Sequence, residues 1–202
     1  MSSSGRRGVL RYASGTAVPG DRWVGEATEA DQRVLDRCKG PVLDVGCGPA
    51  RHTVALAGQG VPTLGIDITP SALAMAQPRD ATVLLRDVFG RVPAAGRWGT
   101  VLLLDGNLGI GGDASVLLQR SRDLLRPGGK ILAELADEGC GTRSAAAVRL
   151  ELDDRHGPWF AWTTVGPRRL HQSVGATGGL RTVETWCDDG RWFVELVRNA
   201  DE

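Results

Sequence analysis

Short apolar runs recur along the chain at intervals that suit alternating strands and helices. The runs at 42–45, 63–66, 82–85, 100–104 and 130–135 each end at or near an acid: Asp44, Asp67, Asp87, Asp105 and Glu134. Runs of this length that hardly alternate with polar residues belong to strands buried on both faces, as in a parallel sheet. Helical stripes lie between them. One follows Gly46-Cys47-Gly48, carries Thr53, Val54, Leu56 and Ala57, and stops at Gly58-Gln59-Gly60. A second opens at Pro70, which suits a first helical turn, and carries Leu73, Ala74 and Ala76. A third has Asp113 as its N-cap, aligns Leu117, Leu118, Leu124 and Leu125, and ends before Arg126-Pro127-Gly128-Gly129. Upstream, Thr28-Glu29-Ala30-Asp31 predicts the start of a short helix reaching about Arg37.

The rhythm changes in the C-terminal third. Segments 148–152 and 159–165 flank Arg155-His156-Gly157 and predict a hairpin. A helix is expected over 167–176. Segments 180–186 and 192–197 flank Asp188-Asp189-Gly190, a strong hairpin signal. Strand–helix alternation implies right-handed β-α-β crossovers with helices on both faces of the sheet. The expected fold is therefore α/β: a seven-stranded, mostly parallel, doubly wound sheet. It ends in an antiparallel hairpin and carries a small β-hairpin insertion after the fifth strand. Residues 1–20, polar and glycine-rich, are expected to form a flexible tail, and 21–202 a single domain.

Composition narrows the function. The chain's 202 residues include 24 basic and 24 acidic side chains, a balance that argues against an electrostatic grip on nucleic acid. No stretch approaches the roughly 20 apolar residues that span a bilayer. Met1-Ser2-Ser3-Ser4-Gly5 lacks the apolar core of a signal peptide. The expectation is a cytoplasmic protein, monomer or homodimer, with neither membrane nor nucleic-acid partners. Cys38, Cys47, Cys140 and Cys187 are far apart, so buried free thiols are expected rather than a metal site or disulfides.

The chemistry concentrates in Asp44-Val45-Gly46-Cys47-Gly48-Pro49-Ala50-Arg51. A glycine turn between a strand and a helix lets backbone approach a ligand. The dinucleotide fingerprint needs a small residue where Arg51 stands, and no G-K-[ST] follows for a phosphate loop. What remains, D-x-G-x-G, resembles motif I of the class I S-adenosylmethionine-dependent methyltransferases. The turn Leu124-Leu125-Arg126-Pro127-Gly128-Gly129-Lys130 and the closing hairpin resemble the same family, whose Rossmann-like sheet ends this way. The 105–112 loop and Gly157-Pro158-Trp159-Phe160 resemble a group of its actinobacterial small-molecule members.

The resemblance implies S-adenosylmethionine as cofactor, S-adenosylhomocysteine as product, and roles for matching positions. Asp44, Gly46, Cys47 and Gly48 would line the methionine end, with Arg51 a candidate for its carboxylate. Asp67 would accept both ribose hydroxyls, with Ile68 beside it. Asp87 and Val88 would meet the adenine, and the Asp105-Gly106 backbone the amino-acid portion. For the acceptor, the candidates are Asn107, Glu134, His52 and His171, with His156 in the hairpin turn. On the insertion hairpin Trp159, Ala161 and Thr163 would face one side and Phe160 and Trp162 the other, one face forming an apolar lid over a flat substrate, and Trp23 would close the same pocket. The expected activity is methyl transfer to an O or N atom of a small natural-product acceptor. Two alternatives stay open: a non-methylating cyclisation or rearrangement by the same fold, and a non-catalytic partner protein.

Overall fold

A computed structural model describes residues 8–19, 21–76, 79–137, 145–152 and 155–200. The chain opens with β1 (Gly8–Tyr12) and β2 (Ala17–Pro19), an antiparallel pair, where a flexible tail was expected. The reason is long-range. β1 pairs along its whole length with β8 (Ala146–Leu152), so Val9 and Leu10 find partners that nothing near them in sequence announces. Two helices follow, α1 (Asp21–Val24) and α2 (Glu29–Leu35). Thr28 caps α2 in a reciprocal box with Asp31, as the sequence predicts.

The main sheet contains β3 (Val42–Val45), β4 (Thr63–Asp67), β5 (Val83–Leu85), β6 (Trp98–Leu103) and β7 (Leu125–Leu135), all parallel. The helices α3 (Arg51–Gly58), α4 (Pro70–Ala76) and α5 (Ala114–Leu124) connect them. Asp113 caps α5 by accepting from the Ser115 and Val116 amides. Beyond the insertion come α6 (Pro167–Thr177), β11 (Leu180–Asp188) and β12 (Arg191–Arg198). The turn joining these two strands puts Asp189 at φ 50° and Gly190 at φ 72°, the left-handed pair a tight hairpin requires. β12 inserts antiparallel to β7, giving the order β11-β12-β7-β6-β3-β4-β5.

Alternation along each strand supplies two cores. Leu43, Val101, Leu103 and Ile131 face α5 and α6 through Leu117, Leu118 and Leu170. Val42, Leu102, Leu132 and Phe193 face α2 and α3 through Val34, Leu35 and Leu56. Both faces of β3, β4 and β6 are buried, which is why these strands read as nearly continuous apolar runs; the edge strands β5 and β11 are largely exposed.

The predicted hairpin insertion forms, with an interrupted return strand. β9 (Arg155–His156) and β10 (Phe160–Trp162) both pair with β8. Together with β1 and β2 these strands make a second sheet, ordered β10-β8-β1-β2. Its β10 edge is fastened to the loop after β6. The Thr163 amide donates to the Gly109 carbonyl at 2.9 Å and the Gly111 amide to that of Ala161 at 2.9 Å. Ile110 and Trp162 form a bridge between them.

Candidate active site

A cleft of ≈ 280 Å³ opens at the carboxyl ends of β3, β4, β5 and β6, under the second sheet. Its volume is near the lower end of the roughly 300–1,000 Å³ range of small-molecule pockets. In open α/β sheets this is where ligands bind. The glycine loop forms its floor. Gly46 and Gly48 adopt φ 71° and 53°, conformations that L side chains rarely take. Gly46 has no room for a Cβ, because one would stand 2.8 Å from Asn107 Nδ2. A Cβ on Gly48 would point into open space, with nothing within 4 Å. Gly48 lines the cleft.

Asp67 stands across the loop. Its carboxylate accepts the Gly48 amide at 2.9 Å through Oδ2 and the Thr69 amide at 2.8 Å through Oδ1. Burial pushes its pKa above the usual carboxylate range, while the amides of Gly48 and Thr69 pull it back. Each oxygen keeps a lone pair for a further donor. Ile68, Asp87, Val88 and Cys47 also line the cleft. Asp87 Oδ1 accepts the Phe89 amide at 2.9 Å and is exposed. Cys47 is packed against Gly65, and burial raises its thiol pKa well above normal, so it fills space. Asp105 and Gly106 both adopt positive φ, 56° and 79°, at the turn that ends β6.

Asn107, the one acceptor-side candidate on the wall, holds the loop. Its Nδ2 donates to the carbonyls of Val45 at 2.8 Å and Gly46 at 3.0 Å. The other candidates lie elsewhere. His171 is exposed on α6 and does not line the cleft. His156 is exposed on β9. Asp44 is buried beneath the loop, accepting from Thr53 Oγ1 at 2.8 Å, and its pKa is raised by burial. It supports the loop from behind. Glu134 and His52 are also off the wall, drawn into a buried ionic cluster that sequence reading did not anticipate.

That cluster centres on Asp31, which is fully buried. Asp31 pairs with Arg51 and, at 2.7 Å, with Arg191. Its Oδ1 lies 3.5 Å from His52 Nε2. Burial alone would raise its pKa, but the nearby His52, the hydrogen bond from Arg191 and the Thr28 amide hold the carboxyl far below the usual range. Arg51 also grips both Asp105 oxygens, at 2.6 and 2.8 Å. Glu134 accepts the Asp105 amide at 2.7 Å and two bonds from Arg191 at 3.0 and 2.8 Å. Arg51, which touches the cleft, therefore serves first to fix the Asp105 turn. His52 sits on the α3 face turned toward α2. The cluster joins residues up to 160 positions apart, and only the α2 capping box marked any of it.

The second sheet supplies the upper wall. Leu10 and Leu150, direct cross-strand partners, both face the cleft, as do Phe160 and Trp162. Trp23 closes the side, as expected. Trp159 points outward, 46% exposed, with the Arg149 guanidinium 4.8 Å from its ring. Leu10, Leu150, Thr69, Arg86, Phe89 and Ile110 line the cleft without having been singled out. The neighbours of Asp67 and Asp87 were the available hint for three of them. Cys47 is buried as expected, whereas Cys38 is half-buried and Cys187 is exposed on β11; Cys140 lies outside the described residues. Burial raises the Cys38 thiol pKa to about 12.

Residues 42–129 match the protein family described as Methyltransferase domain. Among solved structures, the chain is similar to an S-adenosylmethionine-dependent methyltransferase from Bacteroides fragilis in complex with S-adenosyl-L-homocysteine. That match has TM-score 0.75 at 21% identity, covering 96% of this chain and 88% of that one. It is similar to the CcbJ methyltransferase from Streptomyces caelestis, with TM-score 0.65 at 18% identity over 91% and 93% of the two chains. The glycopeptide N-methyltransferase MtfA complexed with S-adenosylmethionine matches with TM-score 0.64 at 18% identity, over 86% and 95%. Residues 42–129 thus match a methyltransferase domain, and the chain has the fold of the solved S-adenosylmethionine-dependent methyltransferases.

Proposed function

We propose that this protein is an S-adenosylmethionine-dependent methyltransferase that methylates an O or N atom of a small-molecule acceptor. The observation that carries the reading is the Asp67 carboxylate, placed against the Gly48 amide at 2.9 Å beside the open cradle of the glycine loop. Two carboxylate oxygens with lone pairs to spare suit the paired hydroxyls of a ribose. The floor, with Gly46 and Gly48, suits the methionine portion, and Asp87 with Val88 the adenine. Bound there, the sulfonium supplies an activated methyl group, and S-adenosylhomocysteine is the product.

The chain's own contribution is position and dryness. Asn107 holds the loop carbonyls, and the ionic cluster holds the Asp105 turn. Holding nucleophile and methyl carbon in line is worth on the order of 7–11 kcal/mol. Among the described residues, no histidine, lysine or tyrosine lines the cleft, so none of these takes a proton from the acceptor. A small acceptor fits the cleft's size, and the charge balance favours neither nucleic acid nor an anionic surface. No helix among the described residues is long and apolar enough to cross a membrane. Cytoplasmic residence, and a role in natural-product biosynthesis, are part of this reading.

Calorimetric titration tests it. S-adenosylmethionine and S-adenosylhomocysteine are expected to bind in the micromolar range, NADH not at all, and Asp67→Ala is expected to abolish binding. Binding of NADH alone, or sulfur-ligand affinity unchanged by Asp67→Ala, would overturn the reading. Transfer of labelled methyl to candidate acceptors then separates methylation from a rearrangement.

A further inference from the structure

The turn that ends β6 is held from two directions. Asp105 and Gly106 are consecutive residues at positive φ, 56° and 79°. Asp105 thus keeps a left-handed backbone that L residues seldom adopt, and its surroundings must hold it there. Its carboxylate is gripped by Arg51 of α3 at 2.6 and 2.8 Å. Its amide donates at 2.7 Å to Glu134 Oε2, near the end of β7.

Glu134 is itself held. Arg191 opens β12, directly after the turn of the closing hairpin. It donates from Nε to Glu134 Oε1 at 3.0 Å and from Nη2 to Oε2 at 2.8 Å, a two-point grip that fixes the plane of the carboxylate. Its Nη1 is tied to Asp31 at 2.7 Å. Neither Arg191 nor Glu134 lines the cleft, whereas Asp105 and Asn107 do. A line of contacts therefore runs from the closing hairpin, through Glu134, to the wall of the cleft.

Strand order says which part of a ligand that wall meets. The main sheet runs β6-β3-β4-β5 beneath the cleft. With the ribose at Asp67 on β4 and the adenine at Asp87 after β5, the amino-acid portion lies over the β3 loop and the turn after β6.

We infer that Arg191 and Glu134 are positioning residues for the amino-acid end of the cofactor, acting through the Asp105 turn and touching no ligand themselves. The inference rests on the cofactor reading above and adds to it two residues outside the cleft and the part of the ligand they govern. Loss of either loosens the turn after β6 and leaves the ends of β4 and β5 as they are.

Two ligands isolate that part. S-adenosylhomocysteine and 5′-methylthioadenosine share the adenosine and the thioether, and only the first carries the amino-acid group. Their affinities for the full chain are measured by calorimetry, beside a thermal melt that certifies each variant as folded. Glu134→Gln keeps an oxygen for the Asp105 amide but turns an NH2 toward Arg191, so both demands on the carboxylate are no longer met. Arg191→Lys keeps the charge and loses the two-point grip. Each is expected to weaken S-adenosylhomocysteine about 10-fold and to leave 5′-methylthioadenosine within about twofold. Asp67→Ala, by contrast, should weaken both ligands alike. Leu196→Ala, at a fully buried position on β12, controls for a weaker hairpin: it should lower Tm and change neither affinity.

Either folded variant decides the question alone. If it weakens both ligands equally, or leaves S-adenosylhomocysteine at the wild-type affinity, Arg191 and Glu134 serve only the fold and the inference fails. It also fails if Leu196→Ala reproduces the selective loss. If the wild type binds neither ligand, the cofactor reading falls and takes the inference with it.

Discussion

Asn107 Nδ2 is hydrogen-bonded to the Gly46 carbonyl at 3.0 Å and occupies the space a Gly46 Cβ would need. The pair couples the end of β6 to the glycine loop after β3. Asn107→Ala strips a donor from two carbonyls, a loss of about 1–3 kcal/mol. Because the freed element is the loop itself, S-adenosylhomocysteine affinity should fall roughly 10-fold, with only a few degrees lost from Tm. Asn107→Asp, which sets an acceptor against those carbonyls, should cost more. Titration beside a thermal melt checks both, and unchanged affinity in Asn107→Ala would remove the loop-holding role.

Two glycine substitutions separate cover from cradle. A Cβ on Gly109 would come 2.0 Å from the Thr163 carbonyl oxygen, so Gly109→Ala must push the second sheet off the loop. Overpacking of this kind costs about 1–3 kcal/mol. Hydrogen exchange should rise at residues 160–163 while S-adenosylhomocysteine still binds. Gly48→Ala meets no neighbour but keeps a φ of 53°, a strain of about 1–3 kcal/mol, and fills the cradle. It should weaken the ligand more than the fold. The reverse pattern would mean that the two glycines have been given each other's roles.

What was legible in the sequence was local or periodic. The β3 loop announced itself through Asp44, Gly46 and Gly48, the α5 start through Asp113, and the closing hairpin through Asp189-Gly190. The strands β3, β4 and β6 read correctly because burial on both faces leaves them apolar, whereas β7 begins five residues earlier than its apolar run and the edge strand β5 exposes Leu84 and Leu85. What escaped was non-local. Leu10 faces the cleft only because β1 pairs with β8, some 140 residues on. His52 and Glu134 look like active-site groups by position. Their neighbours, Asp31 and Arg191, come from the two ends of the chain and draw both side chains away from the cleft. A capping acid such as Asp31 gives no sign that it also neutralises two arginines.

Asp31→Asn tests that cluster, with a definite pH signature. The folded-state pKa of Asp31 lies below its unfolded value of 3.8. Its contribution is therefore complete above that value and lost as pH falls below it toward the folded pKa. Removing one partner from a buried ionic group costs about 3–5 kcal/mol. Urea unfolding should show that gap between wild type and variant, unchanged from neutral pH down to about pH 5, and narrowing only in stronger acid. A gap that closes already near neutral pH would remove Asp31 as the titrating group.

Asp67 carries the opposite shift, and so a pH dependence of binding rather than of protection. Burial raises its pKa above 3.8, against the pull of the Gly48 and Thr69 amides. As pH falls through that raised value the carboxylate takes a proton and loses an acceptor that a ribose hydroxyl would use. S-adenosylhomocysteine affinity should then fall, approaching roughly tenfold per pH unit for one linked proton. The decline should start at a pH where an ordinary aspartate is still ionised. Asp87→Asn should keep this profile, because Asp87 is exposed and lies on the next strand end. Asp67→Asn should bind weakly and lose the pH dependence. A profile that persists in Asp67→Asn and vanishes in Asp87→Asn would move the hydroxyl contacts from the end of β4 to the end of β5.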